Sequence, residues 1–282
     1  MTDATPFLPG LSPVESKPLT AQFDAGPMSS DGGLVVLREA ALRLGLADVV
    51  ASALPDTRDP GRVVHSYADM VTARMMAIAA GYEDCDDLDC LRTDPALKLA
   101  CGRAPESGAD LMSQPTLSRL ENLAERRTLI EIGLGFIDLF CKSWTRVPDR
   151  IVLDIDDTDD PVHGQQELAL FNTHAGGHCF QPMLIFEASS GKPVMAMMRP
   201  GKRPSGKEVA TILRAVIARI RMHWPNVKIL VRGDSHYCGE PVFAALDVLG
   251  CDYILGLAIN NRLDRKSTRL NSSHQIISYA VF

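Results

Sequence analysis

The sequence contains no C-x-x-C pair. Its seven cysteines are odd in number and scattered, which argues against a disulfide framework and a zinc ribbon and leaves most of them as small buried apolar side chains. No apolar run is long enough to span a bilayer, and the N-terminus lacks the basic-then-apolar order of a signal peptide. The expected location is the cytoplasm, with no membrane partner. Net positive charge is missing too. The 282 residues carry a formal charge of -6, which is not the balance of a chain that holds nucleic acid by bulk charge.

What the chain does have is an ordinary globular composition, 46% hydrophobic and 23% charged. That supplies a core for one large or two modest domains. Its charges are segregated. Residues 151–167 hold six acids and no Lys or Arg, whereas 199–232 hold nine Lys or Arg and a single acid, Glu208. A cationic segment beside an anionic pocket suits a phosphate backbone lying next to bound metal, although basic residues on a solvated helix face give the same pattern.

Periodicity divides the chain. Residues 1–30, rich in Pro, Ser and Gly, read as an extended arm. Residues 31–148 read as a helical N-terminal domain. "GLVVLREAALRLGL" and "SYADMVTARMMAIAAG" have helical spacing with Gly45 and Gly81 as stops, and Ser113 and Pro115 open a further helical stretch running to Trp144. From 149 to 264 the pattern changes. "RIVLDID", "PMLIFEA" and "PVMAMMR" are strands, the last two joined by the short turn "SSGK". "GKEVATILRAVIARIRMHW" is an amphipathic helix with Val209, Ile212, Leu213, Val216, Ile217 and Ile220 on one stripe. Strand "VKILVRGD", helix "PVFAALDVLG" and strand "CDYILGLAI" follow. The fold class is α/β: an RNase H-like mixed sheet in the order β-β-β-α-β-α-β, incomplete, after a mostly helical N-terminal domain. Residues 265–282 lack a clear period. They resemble a read-through tail found at the ends of unrelated assembled sequences, and are set aside as non-native.

Side chains alternate along a strand, so Asp154 and Asp156 share a face and Ile151, Leu153 and Ile155 take the other. Neighbouring carboxylates repel unless they are exposed or a divalent cation lies between them, and hard oxygen ligands suit Mg²⁺ or Mn²⁺. Asp234 ends a second apolar strand. If the first and fourth strands are adjacent, Asp156 and Asp234 meet in one metal site. Arg119, Asn122 and Arg126 have the spacing of one helical face that meets phosphates.

Two families resemble this pattern. "DIDDT" is similar to the D-x-D-x-T loop of haloacid-dehalogenase-like phosphatases, with Asp154 as nucleophile and Asp156 as acid/base, and "GDS" resembles their metal loop. The chain departs from them at Asp157, Asp159 and Cys238, and a hairpin follows where they place a helical crossover or cap. Over residues 22–264 the chain resembles bacterial insertion-sequence DDE transposases of DDE domain group 1. The motifs are "LDIDDTDDPVHGQQE", "HCFQPMLIFEASSGKPV", "RPGKRPSGKE", "RMHWPNVKILVRGDSHY" and "DYILGLAIN", with "SQPTLSRLEN" upstream. This resemblance implies catalysis by Asp156 and Asp234, with Asp154 the alternative first acid, and Mg²⁺ or Mn²⁺ as cofactor. Its implied partners are the element's terminal repeats and target DNA, with a homodimer when complete, on the bacterial nucleoid. Arg199, Lys202, Arg203 and Lys207, with Arg119 and Arg126, are the candidate DNA contacts. The family's third acid, a Glu beyond the fifth strand, has no counterpart after Glu240. A truncated, inactive chain that still binds DNA is therefore the further expectation.

Overall fold

The computed structural model describes residues 10–20, 31–257 and 279–281. The chain forms two compact units, 1–135 and 136–282.

The first unit is helical: α1 (Leu34–Leu44), α2 (Leu46–Ala53), a 3₁₀ turn (Pro60–Arg62), α3 (Tyr67–Ala79), α4 (Leu88–Leu91), α5 (Pro95–Ala100), α6 (Gln114–Glu121) and the first part of α7 (Arg126–Lys142). Gly45, at φ 66°, ends α1 as expected, in a left-handed conformation that costs glycine little. Ser66 and Asp69 form a capping box that starts α3. Met70, Ala73, Met76, Leu88, Leu97, Leu111, Met112 and Leu117 make the core. Of the expected extended arm, residues 1–9 and 21–30 lie outside the described residues. Residues 10–20 are held to the unit: Val14 is buried, and Arg38 donates to the carbonyls of Ser12 and Pro13.

The second unit is built on β1 (Arg150–Asp157), β5 (Met183–Glu187), β6 (Lys192–Met197), β7 (Lys228–Gly233) and β8 (Asp252–Gly256), in the spatial order β6-β5-β1-β7-β8. β5 runs antiparallel to β1 and β6, whereas β7 runs parallel to β1 and β8. Helices α8 (Gly206–His223) and α9 (Glu240–Val248) supply the crossovers. The chain order β1-β5-β6-α8-β7-α9-β8 is the expected β-β-β-α-β-α-β. α8 starts at a Ser205–Glu208 capping box and buries Val209, Leu213, Val216, Ile217 and Ile220. Of the expected tail, Tyr279–Val281 pairs antiparallel with β8 and the remainder lies outside the described residues.

A small second sheet was not foreseen. β2 (Asp160–Pro161), β3 (Leu170–Asn172) and β4 (Gly177–Phe180) pair antiparallel in the order β2-β4-β3, inserted between β1 and β5. The division between units falls inside α7 rather than at residue 148. The last turns of α7 belong to the second unit because Asp138 binds Arg219 and His223 of α8, each at 2.7 Å. Phe140 packs edge-on to Trp224, 5.5 Å between centroids. Trp224 is thus a packed helix end. All seven cysteines are free, with Cys85, Cys141, Cys179 and Cys251 buried. Among the described residues no helix is long and apolar enough to cross a membrane.

Candidate active site

β1 alternates as its sequence requires. Ile151, Leu153 and Ile155 are buried, while Val152 and Asp154 are half-buried and Asp156 is exposed. On the parallel neighbour β7, Asp154 lies opposite Arg232 and Ile155 opposite Gly233. The register ends there, and Asp156 and Asp234 are the next residues along the two chains, at adjacent ends of two central strands. Partners across a parallel pair face the same side. The Asp154–Arg232 ion pair shows that side directly, closing at 2.6 Å from both Nε and Nη2 of the guanidinium.

That pair gives Asp154 and Asp156 different surroundings. Both oxygens of Asp154 are engaged by Arg232. Among the described residues Asp156 accepts only the Asp157 amide, at 2.9 Å on Oδ1, and Asp234 accepts the His236 amide at 2.8 Å on Oδ1. Among the described residues no hydrogen bond reaches the second oxygen of either carboxylate, and both side chains are exposed. Such oxygens can coordinate a divalent ion, with water or phosphate completing its shell. Among the described residues no group of three or more His, Cys, Asp or Glu gathers as a metal cluster.

Behind the pair lies Asp157, which sequence reasoning passed over. Asp157 alternates to the buried face, its side chain only 8% exposed, with Oδ2 3.5 Å from His236 Nε2. Burial raises its pKa, and the charges of Asp234 and Asp156 add to this against the opposing pull of His236. Tyr237 is buried beside it, and burial followed by the Asp157 and Asp156 charges pushes its phenol well up. Asp157 Oδ2, His236 Nε2 and the Tyr237 hydroxyl are all buried, and among the described residues none closes a well-formed hydrogen bond. The signal was present: period two places Asp157 with Ile155, not with Asp156. His236 and Tyr237 stand on the loop that carries Asp234. They link that loop to the end of β1.

Two other contacts fix the loop. Arg203 donates to the carbonyl of His236 at 2.7 Å and to that of Ser235 at 3.4 Å. On the other side, Gly256 of β8 lies so close that a Cβ there would meet the Ser235 nitrogen at 2.8 Å and the Asp234 carbonyl carbon at 3.1 Å.

The expected DNA contacts divide. Lys202 and Lys207 are exposed. Arg203 is exposed but holds the Asp234 loop. Arg199 is a correction: it is 3% exposed and paired with Glu208 at 2.8 Å, so its charge is neutralised inside the fold. Other cations of the basic segment also serve the fold. Arg219 binds Asp138, Arg232 binds Asp154, and Arg221 donates to the carbonyls of Leu249 and Gly250. Arg119 and Arg126 are exposed but do not share a helix with Asn122 between them. Helix α6 ends at Glu121, where Asn122 turns its amide back onto the Ser118 carbonyl, and Arg126 begins α7.

The phosphatase alternative does not survive this topology. After Thr158 comes the small sheet and then the antiparallel β5–β6 hairpin, not a helix crossing to a parallel strand.

The family described as Transposase DDE domain group 1 matches residues 11–276. A search of curated proteins finds no match. Among solved structures, the chain is similar to the piggyBac transposase synaptic complex with hairpin DNA, at 12% identity and a TM-score of 0.42 over 82% of this chain and 52% of that one. It is also similar to a pre-cleavage Mos1 transpososome, at 11% identity and a TM-score of 0.27 over 80% and 78% of the two chains. A third is the Drosophila P element transposase strand transfer complex, at 13% identity and a TM-score of 0.24 over 64% and 40%. The chain spans about half the length of the piggyBac transposase chain. Its match over nearly all residues, on a mixed sheet that brings two aspartates to adjacent strand ends, places the chain in the transposase DDE domain group 1 family.

Proposed function

We propose that this transposase acts on the ends of an insertion sequence, with Asp156 and Asp234 holding Mg²⁺ or Mn²⁺ at the reacting phosphodiester. The observation that supports this reading is the β1–β7 register, which puts Asp156 and Asp234 at adjacent strand ends, together with the Arg232 pair that engages both oxygens of Asp154. A divalent ion bound there would activate the attacking oxygen and stabilise the leaving one. The chain's own part is positioning: Asp156 and Asp234 set the place, and Arg203, His236 and Tyr237 hold the Asp234 loop. Family chemistry begins with water attacking the element's terminal phosphodiester, after which the freed 3′-hydroxyl attacks target DNA. The exposed Lys202 and Lys207, with Arg119 and Arg126, meet DNA backbone in this reading, and a homodimer joins the two ends.

A third acid is needed for full activity in this scheme. The sequence has no Glu after Glu240, which opens α9 close behind Asp234. The chain is therefore expected to bind a labelled element-end duplex, with affinity falling steeply as salt rises. It should leave the strands uncut in Mg²⁺ or Mn²⁺. Cleavage abolished by Asp234→Ala would show that the missing acid lies within these residues, and an absence of duplex binding at low salt would remove the DNA reading.

Gly256→Ala supplies a milder test. Its Cβ must push the Asp234–Ser235 backbone away. We expect a stability loss of about 1–3 kcal/mol by thermal unfolding and roughly tenfold weaker Mn²⁺ binding by calorimetry, the scale of a lost supporting contact. Unchanged Mn²⁺ affinity would show that the loop position does not govern the site.

A further inference from the structure

The helical unit contains a cavity of about 640 Å³ whose lining includes Arg58, Arg62, His65, Arg92, Ser113 and Thr116, with Asp59 its one acid. Arg58 is engaged elsewhere. It makes two bonds of 2.7 Å to Asp56 and stacks 3.9 Å from the Tyr67 ring centre. Arg62 and Arg92 are different. Arg62 is 3.6 Å from Asp59, and Arg92 is 3.7 Å from Asp110, with its Nε buried and, among the described residues, without a hydrogen-bond partner. Structural pairs in the same unit close much more tightly: Arg74–Glu121 is 2.6 Å.

His65 adds a neutral donor. Arg103 lies 2.9 Å from His65 Nδ1. Arginine keeps its proton, so Nδ1 accepts and the imidazole N–H sits on Nε2. Burial first, and then the Arg103 charge, lower the His65 pKa, which keeps the ring in that neutral form. Ser113 makes no capping bond to α6, and among the described residues its hydroxyl meets only that of Thr116, at 3.2 Å.

We infer that this cavity is a phosphate site that takes a backbone phosphodiester of DNA. Guanidinium forks, an imidazole N–H and two hydroxyls are the donors that phosphate oxygens accept from, and the lining carries more positive than negative charge. The inference rests on the DNA reading above and adds a cavity, lined in part by Thr116 of α6, to the contacts of Arg119 and Arg126.

The test compares the full chain with an Arg62→Ala/Arg92→Ala variant. Anisotropy of a labelled duplex is measured over a salt series, and inorganic phosphate binding is measured by calorimetry at constant ionic strength. Arg62 is 88% exposed at its side chain, so Arg62→Ala alone serves as a version that keeps the fold, checked by melting. The double variant should bind duplex about tenfold more weakly, with the salt slope reduced by about 1–2. It should also lose phosphate binding. Duplex affinity and slope equal to the parent's would overturn the inference and leave the DNA reading standing. Loss of phosphate binding with duplex binding unchanged would make this a site for a free anion and overturn the assignment to DNA. A parent chain that binds no duplex would overturn the DNA reading itself, and the inference with it.

Discussion

An Asp234→Asn chain should bind Mn²⁺ about 100-fold or more weakly than the parent, at least the upper end of what is lost when only a supporting contact is removed. The amide keeps the shape of the side chain and can still accept the His236 amide bond, so the loop should stay in place. What disappears is the anionic oxygen. Asp156→Asn should do the same. Asp154→Asn is the informative companion. Both of its oxygens are engaged by Arg232, and the pair is partly exposed, so its loss should cost no more than about 1 kcal/mol. Mn²⁺ affinity should then change by only a few-fold. Titration calorimetry on the three variants reads the order directly. A larger loss for Asp154→Asn than for Asp156→Asn would reverse the assignment of the first acid.

The second large effect lies away from the carboxylate pair. Glu187 ends β5 and is 1% exposed. Burial alone would raise its pKa. The hydroxyls and amides of Ser190 and Ser189 outweigh that and bring it down to about 2 from 4.5. These donors lie 2.6–3.3 Å away and fix the turn into β6. A depressed folded pKa stabilises the protein above the unfolded value and loses that contribution as pH falls through the folded one. The window is therefore pH 4.5 down to 2, and the shift corresponds to about 3 kcal/mol. Glu187→Gln should lower the melting temperature at neutral pH by roughly 6–12 °C. Its stability relative to the parent should converge as pH approaches 2. A variant that stays equally less stable across that window would show that packing, not charge, accounts for the loss.

The strongly patterned elements were legible in the sequence. β1, the β5–β6 hairpin, α8, β7, α9 and β8 each have a clear hydrophobic period, and their order admits few topologies. The small sheet had no such signal, since β2, β3 and β4 are two to four residues long in a polar, glycine-containing run. The break after Glu121 was hidden because apolar spacing continues through it, while the Asn122 side chain competes for the helix's own carbonyl. At the site, Asp156 and Asp234 stood out because each closes an apolar strand. Asp154 could not be separated from Asp156 by period alone, because both face the same way. Only Arg232, directly opposite in the β7 register, distinguishes them. The basic segment misled for a similar reason. A count of arginines does not contain their partners, and Glu208, Asp138 and Asp154 become visible only once α7, α8, β1 and β7 are packed.

The most direct measurement is anomalous scattering from crystals grown with MnCl₂. The account predicts a manganese peak between the carboxylates of Asp156 and Asp234, with Asp154 still bound to Arg232. A peak held by Asp154, or Asp156 and Asp234 facing apart with manganese elsewhere, would contradict it.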